Sequence, residues 1–296
     1  MLLGSLEARD KNLTCAVGDG HGKILDKIEV PRTTPQKSFK EVITYFRHFT
    51  NLKALGISSF GPIELRSYSP KYGYITDTSR KGWKNTNVVG TMKHYLNNIP
   101  MSWTTDVNSS AYGEYIHSVL DNHPIRSLAY VTIGKGVGVG IVNQGQFIGD
   151  QGNPEIGHII PKRNPKDMTF KGVCPYQGDC LEGLVSSKAF EARFHKSFKE
   201  ISMFCPIWDI VAYYIAQCAV QATLFIRPQQ IIFGGAIMNP IELRKIKVQF
   251  KKLLNNYVPV GNLDKYIQMP DLSSSKLAII GNLSLAKKHY YAESPI

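Results

Sequence analysis

The sequence predicts a duplicated, two-lobed mixed α/β protein. Its 296 residues are long for one compact core and comfortable for two domains. A β-hairpin followed by a helix and further strands occurs near residue 5 and again near residue 130. Short apolar runs alternate with segments of helical spacing throughout, as they do when helices cover sheets. Ligands in such folds sit at strand C-terminal ends, facing a cleft between the lobes.

Residues 2 to 8, 13 to 17 and 23 to 30 read as an antiparallel meander, with turns at Arg9–Asn12 and at "GDGHG". Thr34-Pro35 then starts a helix, Thr as N-cap and Pro at the first position. Phe39, Val42, Ile43, Phe46 and Phe49 fall on one face of it. "ALGISSF" is a buried strand ending in Gly61-Pro62, and "MSWTT" (101 to 105) is another. Asp106 ends that strand, and Asn108 is placed to cap a helix running to about Leu120. The second cycle has a strand to Ile133, a Gly134-Lys135-Gly136 turn, a strand from Val137, and a turn at Asn143-Gln144-Gly145. An apolar helix over 208 to 226 feeds the strand "QIIFGG" (230 to 235). Asp209, Gln217 and Gln221 inside that helix argue for burial in protein rather than in a bilayer.

Glu7 and Arg9 interrupt the N-terminus, so no signal peptide is expected. Five cysteines without a secretion signal point to a reducing cytoplasm. The net charge of +12 is spread over surface-helix positions such as Lys245, Lys247, Lys251 and Lys252. That pattern is a solvated basic surface more than a nucleic-acid footprint.

Four stretches carry the chemistry: "GISSFGPI" (56 to 63), "TDVNSSAYGE" (105 to 114), "NPEIGHI" (153 to 159) and "GVCPYQGDCLEG" (172 to 183). With the opening "GSLEA…CAVGD", the run "YGYITDT" and the late "IIGNLSLAK", they give a chain that resembles, nearly end to end, the ROK family of sugar kinases and its bacterial fructokinase branch. The resemblance implies the actin-like ATPase (ribonuclease H-like) form of the two-lobed fold. An N-terminal lobe of residues 1–107 would carry the first phosphate hairpin and part of the sugar pocket. A C-terminal lobe of residues 108–296 would carry the rest, its last helix packing back on the N-terminal lobe. The implied activity is phosphorylation of D-fructose to fructose 6-phosphate with Mg-ATP, in a cytoplasmic homodimer.

Residue by residue, the resemblance makes Asp106 the catalytic aspartate. The chemistry suits it, because a sugar kinase needs a base to orient and deprotonate one hydroxyl. Gly61, Pro62, Glu155, His158 and Glu182 match the sugar pocket, where carboxylates and imidazole fix hydroxyl directions. The family's zinc site keeps His158, Cys174 and Cys180, but Gln177 stands where a stronger ligand belongs, so weak zinc binding is expected.

The nucleotide side departs from the pattern. The family's first hairpin turn reads Ala-Gly-Gly-Thr-Lys, and its glycines let the backbone approach the ATP phosphates. Here Ala8 is followed by Arg9-Asp10-Lys11-Asn12. The second phosphate turn has become Gly134-Lys135-Gly136, and the adenosine-side glycines have become Gly234-Gly235-Ala236. The family's Thr-Pro-Lys-Pro is Thr78-Ser79-Arg80-Lys81, and a late glycine is Ala278. Two readings follow: an ATP-dependent fructokinase in which Arg9, Lys11 and Lys135 replace backbone contacts, or a catalytically weak or inactive sugar-binding paralogue. A third, a repressor of the same family, is not expected, because that branch carries a helix-turn-helix ahead of the first strand.

Overall fold

The computed structural model describes residues 1–149 and 152–293. The chain forms two compact units, Met1–Pro124 with Phe147–Asn153 and Leu272–Ile296, and Ile125–Gln146 with Pro154–Asp271.

The first unit begins with strands β1 (Leu2–Ala8), β2 (Asn12–Gly18) and β3 (Ile24–Pro31), the expected meander. Helix α1 (Pro35–Arg47) follows, and Thr34 caps it by accepting a hydrogen bond from the Lys37 amide at 3.4 Å. Strand β4 (Leu52–Ser59), the short pair β5 (Tyr74–Ile75) and β6 (Thr86–Asn87), helix α2 (Val88–Tyr95), strand β7 (Met101–Thr105) and helix α3 (Asp106–Leu120) come next. The sheet order is β3-β2-β1-β4-β7, with the hairpins antiparallel and β1, β4 and β7 parallel. Phe39, Val42 and Phe46 of α1 pack on one face with Leu6, Leu55, Ile57 and Trp83. The C-terminal helix α9 covers the other face, with Ile279, Leu283 and Ala286 against Leu3, Ala16 and Ala54. Burial on both faces explains why β1 and β2 read as nearly unbroken apolar runs.

The second unit repeats the plan. Strands β8 (Ser127–Ile133), β9 (Val137–Asn143) and β10 (Gln146–Phe147) precede helices α4 (Leu181–Val185), α5 (Ser187–Phe194) and α6 (Ile207–Phe225). Strand β11 (Gln230–Gly234), helices α7 (Pro240–Leu254) and α8 (Leu263–Tyr266), and strand β12 (Ile267–Gln268) follow; α9 (Ser274–Glu293) returns to the first unit. The order β10-β9-β8-β11-β12 reproduces the first sheet strand for strand, an antiparallel hairpin side followed by parallel neighbours. The duplication expected from the two hairpins is therefore present. Helix α3 groups with the first unit, whereas the sequence reading drew the boundary after residue 107, inside the first turn of that helix.

Helices α3 and α9 approach closely in the first unit because two glycines allow it. A Cβ on Gly113 would lie 1.9 Å from the Leu277 carbonyl oxygen, and one on Gly281 would lie 2.0 Å from that of Ser109. Fully buried Asn282 locks the contact: it accepts from Ser109 Oγ (2.7 Å) and donates to Ser58 Oγ (2.9 Å), Ser5 Oγ (3.2 Å) and the Leu6 carbonyl (3.3 Å). Ala278 lies inside α9, and its carbonyl accepts from Ser109 Oγ at 2.8 Å.

In the second unit α6 is buried nearly all round, Trp208, Val211, Tyr214 and Ile215 packing with Val131, Phe190, Ile231 and Phe233. Among the described residues no helix is long and apolar enough to cross a membrane. Glu242, in the first turn of α7, is fully buried, and neither carboxylate oxygen has a hydrogen-bond partner among the described residues. Desolvation pushes its pKa up to about 8, against the pull of Lys245. A carboxyl raised on folding costs stability above its unfolded pKa, and the cost grows until pH passes the folded value. Glu242→Gln should therefore leave the melting temperature unchanged near pH 4.5 and raise it progressively up to pH 8. The ceiling is about 4–5 kcal/mol, and thermal melts across pH check it.

Candidate active site

In the first unit, β7 runs directly into α3, and this junction carries Asp106. Thr105, not Asn108, is the N-cap: its Oγ1 accepts from the Asn108 amide at 3.2 Å. The expected cap at Asn108 is corrected because the helix begins earlier, with Asp106 as its first residue. Asn108 instead donates to Asn153 Oδ1 (2.6 Å), and Asn153 donates to Thr105 Oγ1 (2.6 Å). The three polar side chains fix the head of the helix. The Asp106 carboxylate accepts from the Val107 amide at 2.9 Å. Desolvation raises its pKa, while that hydrogen bond and the charges of Arg80 and Arg9 pull it back.

The hairpin connector lies beside it. The turn closes through Arg9 N–H to the Asn12 carbonyl (2.9 Å), and none of residues 9–12 is among those with left-handed φ. The turn thus has no conformational need for glycine. Its side chains are held by ion pairs. Arg9 Nε lies 2.7 Å from Glu7 Oε2, and Asp10 Oδ1 lies 3.6 Å from Arg80 Nε. Arg32 Nε donates to the Asp10 carbonyl at 2.6 Å. Glu7 is buried, and desolvation, partly offset by Arg9, pushes its pKa to about 7. Lys11 is exposed.

Gly61 and Pro62 follow Phe60, and their peptide is cis. Thr78 Oγ1 donates to the Gly61 carbonyl (3.2 Å) and accepts from the Arg80 amide (3.4 Å). The Arg80 guanidinium sits 4.2 Å above the Phe60 ring. The segment from Thr78 to Arg80 is thereby tied to the loop at Gly61. Arg32 went unnoticed in the sequence, and Arg80 appeared there only as a departure from the family pattern. Each pairs with a residue 22 or 70 positions away in number, so no local signal marks the contact.

In the second unit a 3-10 turn at Ile156–His158 follows exposed Glu155. His158 Nδ1 lies 3.5 Å from Cys180 Sγ, 3.7 Å from Cys174 Sγ and 3.1 Å from Gln177 Oε1. Burial works against a charge on His158, but Glu182 and Cys174 outweigh it and raise the pKa. Burial pushes the Cys180 thiol up to about 11. The histidine and thiol donor atoms all lie within 4.8 Å of one another, and imidazole with two thiolates is a zinc-type donor set. The Gln177 amide oxygen, 3.3 Å from Cys174 Sγ, closes the group as a weak fourth donor.

Glu182 lies in the first turn of α4 and accepts from the Val137 amide at 2.9 Å. A Cβ on Gly136 would lie 2.6 Å from Glu182 Oε2, so that glycine lets the carboxylate approach the β8–β9 turn. The turn is closed by Gly134 N–H to the Gly136 carbonyl (2.9 Å), with Lys135 exposed at its tip. Gly234, the last residue of β11, is buried; after it Gly235 has φ +96° against the Ile133 backbone, and Ala236 is exposed. Asp106, Gly61, Pro62, Arg9, Asp10 and Lys11 thus belong to the first unit, and the other predicted site residues belong to the second.

The ROK family model matches residues 4–289. The chain belongs to the ROK family. A fructokinase of Lactococcus lactis is 44% identical over 285 residues, covering 96% of each chain. A fructokinase of Streptococcus mutans is 42% identical over 97% of this chain and 98% of its own. The fold agrees with a ROK hexokinase of Thermus thermophilus, with a TM-score of 0.80, 17% identity, and coverage of 99% and 100% of the two chains. The two five-stranded sheets are thus those of the actin-like ATPase fold. The His158–Cys174–Cys180 cluster is consistent with the ROK zinc site.

Proposed function

We propose that this ROK protein is a fructokinase, transferring the γ-phosphoryl of Mg-ATP to D-fructose to give fructose 6-phosphate. The observation that carries the reading is the near-full-length identity with two relatives named fructokinase. In this reading Asp106 orients the sugar hydroxyl and accepts its proton; desolvation, by raising its pKa, makes it a better base than a solvated aspartate. Glu155, Glu182 and the loop at Gly61-Pro62 fix the other hydroxyls. His158 turns Nδ1 toward the thiols, which leaves Nε2 for the sugar. ATP phosphates meet the connector at Arg9–Asn12 and the turn at Gly134–Gly136, with Gly234–Ala236 on the adenosine side. A coupled assay with fructose, mannose and glucose plus Mg-ATP tests the reading, and turnover strongest with fructose upholds it. A second reading, a sugar-binding paralogue of weak turnover, is favoured by the ion pairs that occupy the connector. The same assay separates the two.

His158, Cys174 and Cys180 would hold zinc, which would tie the loop at 172–183 to the turn at Ile156–His158. Because Gln177 supplies only a neutral amide, less than one zinc per chain should remain after exhaustive dialysis. Gln177→His should raise the retained zinc toward one. Elemental analysis of both proteins checks this, and full occupancy of the unmodified chain would contradict it.

A further inference from the structure

Three guanidiniums surround the hairpin connector, and they are held at different distances. Arg9 is engaged by buried Glu7 at 2.7 Å, and Arg32 by the Asp10 carbonyl at 2.6 Å. Arg80 is held less tightly. Its Nε, like that of Arg9, is shut off from solvent without a hydrogen bond among the described residues, but its ion pair with Asp10 is long at 3.6 Å, against 2.7 Å for Arg9 with Glu7. The side chain is only 28% exposed, and its guanidinium carbon sits 4.2 Å from the centre of the Phe60 ring. Its charge also acts on the carboxyl of Asp106. A partly desolvated guanidinium held by one long ion pair is set up for an oxyanion, and its planar fork matches a phosphate.

We propose that Arg80 binds the phosphoryl group delivered to the sugar hydroxyl beside Asp106, and then holds the phosphate of the hexose phosphate product. This rests on the kinase reading given above. As the hydroxyl oxygen bonds to the γ-phosphorus, the bond to the bridging oxygen of ADP breaks and the hydroxyl proton passes to Asp106. Charge then sits on the phosphoryl oxygens, where a fixed cation is most effective. Asp10 is a positioning residue in this scheme. It faces Nε and leaves the two terminal nitrogens of Arg80 to the phosphate. The pairing also links two departures from the family pattern, since Asp10 stands in place of a cradle glycine and Arg80 in place of a lysine.

The test is calorimetric binding of fructose, mannose and glucose, each beside its 6-phosphate, to the unmodified protein, Arg80→Met and Arg80→Lys. The unmodified protein should bind one hexose 6-phosphate more tightly than its parent sugar. Arg80→Met should weaken that phosphate ester at least tenfold and the parent sugar less than twofold, with Arg80→Lys in between. If Arg80→Met binds neither ligand, Arg80→Lys decides: unchanged sugar affinity with weaker phosphate binding upholds the proposal. Phosphate and sugar affinities that fall together overturn it. So does a phosphate preference that survives the substitution, or one that the unmodified protein never shows. A preference found with mannose or glucose alone would remove the fructokinase reading and leave Arg80 in place.

Discussion

Asp106→Asn should lower kcat for fructose by about 10²–10⁴-fold while changing the sugar KM little, because a positioned general base contributes about that much. A thousandfold loss corresponds to about 4 kcal/mol of transition-state stabilisation. Asparagine keeps the size and the hydrogen bond from the Val107 amide, so the head of α3 and its Thr105 cap should stay folded. The pH profile gives a second readout. Burial holds the Asp106 pKa above that of an ordinary aspartate, so the unprotonated base is lost as pH falls through that raised value. The acid limb of kcat/KM should therefore lie above the usual aspartate range. Arg80→Met removes a cation that pulls the pKa down, so it should move the limb further up. Steady-state kinetics from pH 4 to 9 would show both effects. A loss of less than tenfold in Asp106→Asn would mean that Asp106 only caps and orients.

Patterns that repeat within a few residues were legible in the sequence. The meander, the Thr34-Pro35 helix start and the second hairpin all came from local alternation and turn residues, and together they implied a doubled sheet. The motifs that resembled the ROK family were contiguous stretches as well. What was not legible depends on residues far apart in number. Asp10 faces Arg80 across 70 positions, and Asn282 reaches Ser5, Leu6 and Ser58 across more than 200. No spacing rule joins such pairs. Even the local reading failed where two capping residues competed. Thr105 and Asn108 both suit an N-cap, and the helix took the earlier one because Asn108 is drawn to Asn153. The place of α3 in the first unit was hidden for a related reason. Its partner is α9, which the fold brings back from the far end of the chain, and the glycines that permit the contact look like any others.

On the weak-turnover reading, restoring the family's cradle should have an effect as large as that of removing the base. The set is Arg9→Gly, Asp10→Gly, Lys11→Thr and Asn12→Lys, joined by Lys135→Thr and Ala236→Gly. It is expected to raise kcat/KM for ATP by about two to four orders of magnitude and to leave sugar affinity within a few fold. Two regained charge-assisted phosphate contacts, at about 1.5–3 kcal/mol each, account for that range. Side-chain packing does not stand in the way at the second turn or the adenosine side, where Lys135 and Ala236 are exposed. The connector is more constrained. Arg9→Gly leaves the fully buried Glu7, whose pKa is already about 7, without its counter-ion. Loss of a counter-ion raises a carboxyl pKa further, so Glu7 would take up a proton at neutral pH, and the combined variant should melt lower above pH 7 than below it. Adding Glu7→Gln separates that stability cost from the kinetic gain. If the restored protein instead loses ATP affinity, then Arg9 and Lys11 are themselves the phosphate ligands. Arg9→Ala and Lys11→Ala in the unmodified chain should then each raise the KM for ATP by about tenfold, the loss of one charge-assisted contact.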